Sequence, residues 1–180
     1  AGPPAGAPAG SPTAAPSDWQ SSVQRQIAEQ EYEVTWQTST RIEGVEAAWQ
    51  APNRAHNLRT YFAASGIRVV SRTEATSSWE WGLKWVGYGR GGRSWSVAPA
   101  TPEAKATRVD YHRGAVEEWY ENSPRGLEQG FVLSAPPGEI GERAGKEPDR
   151  VGTVAPGRGR GVPVERLIHL DLGLTGTLRP

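Results

Sequence analysis

The chain has 180 residues, with 20 basic and 20 acidic side chains and a formal net charge of zero. That length suits one domain with a real core, and the charge balance excludes a general binder of nucleic acid or acidic membrane. Cys is absent, which excludes disulfides, thiolate metal sites and cysteine nucleophiles.

Met is absent too, even at position 1, which reads as a processed chain. The 22 Gly and 15 Pro make up about a fifth of the residues, and 17 of the 20 cations are Arg. Residues 1–16, AGPPAGAPAGSPTAAP, have no charge and no large apolar side chain to set against the entropy of ordering. Residues 1–17 are therefore assigned as a spacer that remains after removal of a secretory signal, and residues 18–180 as one β-rich domain. Its expected location is extracytoplasmic: secreted, periplasmic or at the cell surface. No run of apolar residues is long enough to span a membrane as a helix.

Ser17 and Asp18 are N-cap types, and Trp19, Val23 and Ile27 recur every four residues, which predicts a helix near 18–30 with that face toward the body. Tyr32, Val34 and Trp36 then alternate with polar residues, as a half-buried strand does. Ala51–Pro52–Asn53 reads as a turn, and Leu58–Phe62 and Ile67–Thr73 read as strands. Between Trp79 and Tyr88, the side chains of Trp79, Trp81, Leu83 and Trp85 fall on one strand face and Gly82, Lys84 and Val86 on the other. Gly87–Arg93 reads as a break, after which Ser94–Val97 resumes. Beyond a Pro99–Pro102 turn, Val109 and Tyr111 mark another strand. Val116–Glu121 and Leu127–Leu133 then flank hairpin-type residues at 122–126. Residues 135–163 read as a long loop. Ile168, Leu170, Leu172 and Leu174 alternate with His169, Asp171, Gly173 and Thr175 in a final half-buried strand. Eight or nine short strands at this spacing predict a mainly antiparallel β-sandwich or open barrel behind one short helix.

The residues that could carry chemistry form no catalytic set. Gly87-Tyr88-Gly89-Arg90-Gly91-Gly92 matches a dinucleotide fingerprint in letters, but a β pattern follows where the phosphate-binding helix must start. Gly157–Gly161 resembles RNA-contacting arginine–glycine repeats, yet a single copy neutralises too few phosphates. His56, His112 and His169 lack metal-ligand spacing. Glu117, Glu118, Glu121 and Glu128 could form the carboxylate pair of a glycoside hydrolase, or a solvated charged face beside Arg113 and Arg125. Trp79, Trp81 and Trp85, with Tyr88 and Trp95, suit a buried core, a protein interface or a platform for sugar rings. No cofactor is expected.

Residues 108–134, RVDYHRGAVEEWYENSPRGLEQGFVLS, resemble a segment found in the N-terminal β-domain of bacterial secreted or cell-surface proteins that carry β-propeller or FG-GAP (integrin-like) repeats. The likeness rests on Val109, Tyr111, Glu118, Trp119, Tyr120, Asn122, Arg125, Gly126, Leu127, Glu128, Gln129, Gly130 and Phe131. Residues 51–59 and the strand at 168–177 fit the same kind of domain. The resemblance implies an exported, non-catalytic β-domain that normally precedes repeats, and it covers about residues 31–178. No repeats follow in this chain, so a longer precursor or a second chain is expected to complete it. The expected function is that of a structural or interaction module whose partner covers the Trp79/Trp81/Trp85 face or pairs with the edge strand of Ile168, Leu170, Leu172 and Leu174. The partner is another protein chain, in a hetero- or homo-assembly. A carbohydrate-binding module using the Trp row is the alternative.

Overall fold

A computed structural model describes residues 17–74, 76–137 and 167–177. The expected spacer and most of the expected long loop lie outside these residues, as does Gly157–Gly161. The chain divides into two compact units at Gln30/Glu31. The first contains helix α1 (Ser17–Gln30), in which Asp18 sits in the first turn, where a carboxylate favours the exposed N–H groups. Trp19 on this helix is exposed.

The regular elements of the second unit, among the described residues, are all strands. Its strands are β1 (Thr35–Gln37), β2 (Ala48–Asn53), β3 (Leu58–Ala63), β4 (Gly66–Ser71), β5 (Glu80–Arg90), β6 (Arg93–Ser96), β7 (Pro102–Lys105), β8 (Arg108–Arg113), β9 (Val116–Ser123), β10 (Gly126–Leu133) and β11 (Ile168–Gly176). They form two open antiparallel sheets. One has seven strands in the order β1-β2-β3-β4-β5-β11, with β6 also on β5; the other has four, in the order β10-β9-β8-β7. Five hairpins close through two-residue turns, because the pairs Ala63↔Gly66, Arg90↔Arg93, Lys105↔Arg108, Arg113↔Val116 and Ser123↔Gly126 are direct neighbours across their ladders. At Gly91–Gly92 both turn residues have positive φ, 59° and 78°, the twist that suits a tight hairpin and that glycine adopts freely.

Apolar residues facing each other across the two sheets make the core. Ala51, Phe62, Ile67 and Val69 of the larger sheet pack with Val109, Tyr111 and Tyr120 of the smaller one. A second cluster joins Trp85 and Tyr88 of β5 to Val116, Phe131 and Leu133. On the opposite side of the larger sheet, Tyr61 and Val70 are covered by Ile42 and Val45. The mainly β, sandwich-like architecture agrees with the sequence reading.

Three local expectations are corrected. Ala51–Pro52–Asn53 lies within β2, and the turn is at residues 54–57. Proline is tolerated there because β1 pairs only as far as Gln50, leaving Pro52 on a free edge. The segment from Glu31 yields only a three-residue strand: Val34 is buried, whereas Trp36 is exposed and meets Trp49 edge-on at 5.4 Å. Finally, β5 runs unbroken to Arg90, so the break expected at Gly87–Arg93 shrinks to Gly91–Gly92, and Pro102–Lys105 is itself a strand.

Candidate functional site

Strand β5 is the axis around which the unusual features gather. On one edge its first half pairs with β4 and its second half with β6. The whole of its other edge pairs with β11. No strand among the described residues lies beyond β11. Leu174 stands opposite Leu83, Leu172 opposite Trp85 and Leu170 opposite Tyr88. The leucine row therefore continues the core-facing side of β5 outward by one strand. The smaller sheet does not follow it. Its last strand, β10, sets Phe131 against Trp85 at a ring separation of 4.7 Å and ends there. Ile168, Leu170, Leu172 and Leu174 are consequently 51, 37, 43 and 67 % exposed. The alternation expected for the last strand is present, but the expected half-burial of its leucines is not, because no second layer among the described residues covers them.

The tryptophan row is divided between the two core clusters. Trp79 and Trp81 are half-buried against the first. Trp85 and Tyr88 are buried in the second, where Trp95 stacks on Tyr88 at 6.0 Å. Burial also raises the Tyr88 phenol above its ordinary value. Strict alternation would put Tyr88 on the face of Lys84. The ladder with β11 instead shifts register between Asp171 and Leu172, opposite Gly87 and Trp85, so Val86 is an extra residue on β5. This bulge returns Tyr88 to the side of Trp85, 5.8 Å away ring to ring. The glycines of the false dinucleotide motif have a packing reason. A Cβ at Gly89 would collide with the Arg93 carbonyl and the His169 ring, and one at Gly87 would lie 3.2 Å from Asp171 Oδ2.

The hairpin β9–β10, which carries the family-like motif, holds a buried polar network. Along β9 the side chains of Val116, Glu118, Tyr120 and Asn122 point inward and their neighbours do not. Glu118 is fully buried and accepts hydrogen bonds from Arg113 Nη2 at 2.9 Å, the Tyr120 hydroxyl at 2.7 Å and Gln129 Nε2 at 2.9 Å. The Arg113 guanidinium also lies over the Tyr111 ring, 5.0 Å from its centroid. Burial, then the Glu118 charge, pushes the Tyr111 and Tyr120 hydroxyls well above the usual phenol range. On the outer face Trp119 lies flat over Gly130, where any Cβ would strike its indole, and Arg108 stacks on Trp119 at 4.6 Å. Leu127 packs on the first core cluster, Glu128 is exposed, and Gly126 takes φ 129° just after the turn.

Two motif segments that are far apart in sequence meet at Asn53 and Asn122, both 2 % exposed. Asn53 Nδ2 donates to Asn122 Oδ1 and to the Ser123 carbonyl, each at 2.8 Å. Asn122 Nδ2 donates to the carbonyls of Tyr32 at 2.9 Å and Pro52 at 2.8 Å. Three of these bonds tie the β2 end of one sheet to the β9 end of the other, and the fourth holds the segment before β1. Pattern reading missed the pair because isolated asparagines next to turns read as turn residues.

No constellation has the geometry of catalysis among the described residues. Ser94 Oγ lies 2.9 Å from His169 Nε2, and Asp171 lies near the same nitrogen at 3.8 Å. A relay needs the carboxylate on the other ring nitrogen, so the three do not act as a triad. Glu118 points into the core, whereas Glu117 and Glu121 face outward with Arg108, His112 and Thr107 as partners. Glu118 is thus separated by the sheet from the other three, which share its outer face, with Glu121 and Glu128 as direct cross-strand neighbours. Among the described residues no three His, Asp or Glu side chains are close enough to hold a metal ion, and no helix is long and apolar enough to cross a membrane.

What fold and site define is a sandwich-like module of two open antiparallel sheets with one apolar edge strand that no other described residue covers. Comparison of the chain with protein-family models, curated proteins and solved structures finds no match.

Proposed function

We propose that this chain is a non-catalytic structural or interaction module of an exported protein, and that it docks into an assembly through β11. The observation that carries this reading is the exposure of Ile168, Leu170, Leu172 and Leu174 in one row on a strand whose outer edge pairs with no strand among the described residues. An uncovered apolar row costs about 25 cal/mol for each Å² left in water, and a free edge offers unpaired N–H and C=O groups to a partner strand. Export follows from the likeness of residues 108–134 to secreted β-domains. The inward placement of Glu118, Tyr120, Asn122, Gln129 and Phe131 supports reading that motif as a determinant of the fold.

Light scattering with mass spectrometry on the gently purified native species tests the reading. A mass above the 19.4 kDa of the chain, lost on Leu172→Lys, is the expected result. A 19.4 kDa monomer in native material contradicts it.

A further inference from the structure

We propose that the partner strand at β11 is β11 of a second copy, running antiparallel about a two-fold axis through Leu170, so that the larger sheets of two chains become continuous. This rests on the docking reading above.

Backbone parity makes the pairing available. The Thr177 N–H donates to the Glu80 carbonyl at 2.9 Å, so residues of odd number on β11 direct their backbone groups to β5. Because the bulge residue, Val86, belongs to β5, β11 keeps this alternation throughout. The N–H and C=O groups of Ile168, Leu170, Leu172 and Leu174 therefore face the open edge. Residues 167–177 contain no Lys and no Pro, and β11 has no bulge of its own. Three of the devices that blunt an edge, Lys, Pro and a bulge, are thus missing from β11.

Side-chain chemistry then selects both the partner and the register. With Leu170 on the axis, Leu170 meets the partner's Leu170, Ile168 meets the partner's Leu172, and His169 stands opposite the partner's Asp171. The Leu170 pair lies on the axis and occurs once, and each of the others occurs twice, as an isologous interface requires. The two His–Asp pairs fall at non-hydrogen-bonded positions, where side chains approach most closely. Moving the axis to Asp171 sets carboxylate against carboxylate, an unfavourable cross-strand pair. Moving it to Leu172 leaves His169 opposite Thr and Asp171 opposite Gly. Of these registers only the one centred on Leu170 sets His169 against Asp171 while Ile168, Leu170 and Leu172 all meet apolar residues.

The purified chain, followed by light scattering over a range of concentrations, tests this. The expected result is a concentration-dependent dimer. His169→Asp places two like-charge pairs across the axis and weakens association about tenfold or more, whereas the double variant H169D/D171H restores it. Leu170→Pro offers a second route: it removes an edge-facing N–H but none that pairs with β5, so it abolishes the dimer with the fold kept. The near-UV circular dichroism of the Trp85–Tyr88 cluster reports that fold. A monomer at every concentration, or a dimer indifferent to H169D and L170P, overturns the inference. A pure chain that stays monomeric while native material contains it with a different chain overturns the second copy and leaves the docking reading standing.

Discussion

Arg113 and Glu118 form an ion pair at 2.9 Å whose side chains are 3 and 0 % exposed. Buried pairs are weak contributors when intact, but removing one partner leaves an uncompensated charge and costs about 3–5 kcal/mol. Glu118→Gln is therefore expected to lower unfolding stability by that amount, a large share of the roughly 5–15 kcal/mol a domain possesses. Urea denaturation measures it. A loss under 1 kcal/mol would show that Arg113 finds compensation in its bond to the Ala98 carbonyl.

The same network sets an alkaline limit. Tyr111 and Tyr120 titrate higher folded than unfolded, through burial first and the Glu118 charge second. The stability this provides is complete below the unfolded phenol value of about 10 and is lost as pH climbs above it. Both groups together give a slope of about 2.7 kcal/mol per pH unit in that range. Tyrosinate absorbance is expected to rise for these two only as near-UV dichroism collapses. Ionisation of all five tyrosines in the folded protein would refute the assignment.

Asn53 and Asn122 join the sheets at one end, so Asn53→Ala and Asn122→Ala each orphan buried partners and cost about 1–3 kcal/mol. Their effects should not add. A double-mutant cycle is expected to return a coupling of about 0.5 kcal/mol or more, and simple additivity would mean that the two act separately.

Gly89 and Gly92 are predicted to differ for a stated reason. Gly89→Val drives a Cβ into the Arg93 backbone and the His169 ring, which costs about 1–3 kcal/mol and loosens β11. Gly92→Ala meets no atom within 4 Å and bears only the strain of its positive φ, about 1–2 kcal/mol. Limited proteolysis at β11 separates them, since only the Gly89 variant should be cut faster there.

Much of this fold is legible in the chain. Alternation marks β8 and β11, short apolar and β-branched runs mark β3 and β4, and the hairpin residues at 122–126 mark the turn between β9 and β10. What is not legible depends on neighbours. The bulge at Val86 needs the register of β11, which lies about eighty residues away. The burial of Glu118 needs Arg113, Tyr120 and Gln129 in place, because a carboxylate at an inward position otherwise reads as solvent-facing. The exposure of Leu170 and Leu172 depends on where the smaller sheet stops, which no local pattern encodes. The bulge at Val86 and the burial of Glu118 thus go unread for want of tertiary partners, and the exposure of the leucines for want of a missing one.

Residue-resolved amide hydrogen exchange along β11 tests the central claim most directly. The amides of His169, Asp171, Gly173 and Thr175, paired with β5, are expected to be protected at every protein concentration. Those of Leu170 and Leu172 should exchange freely in dilute chain and become protected when the edge is occupied at high concentration. Uniform protection along β11 in the most dilute sample would contradict the account, because the edge on which the proposed docking depends would then already be covered.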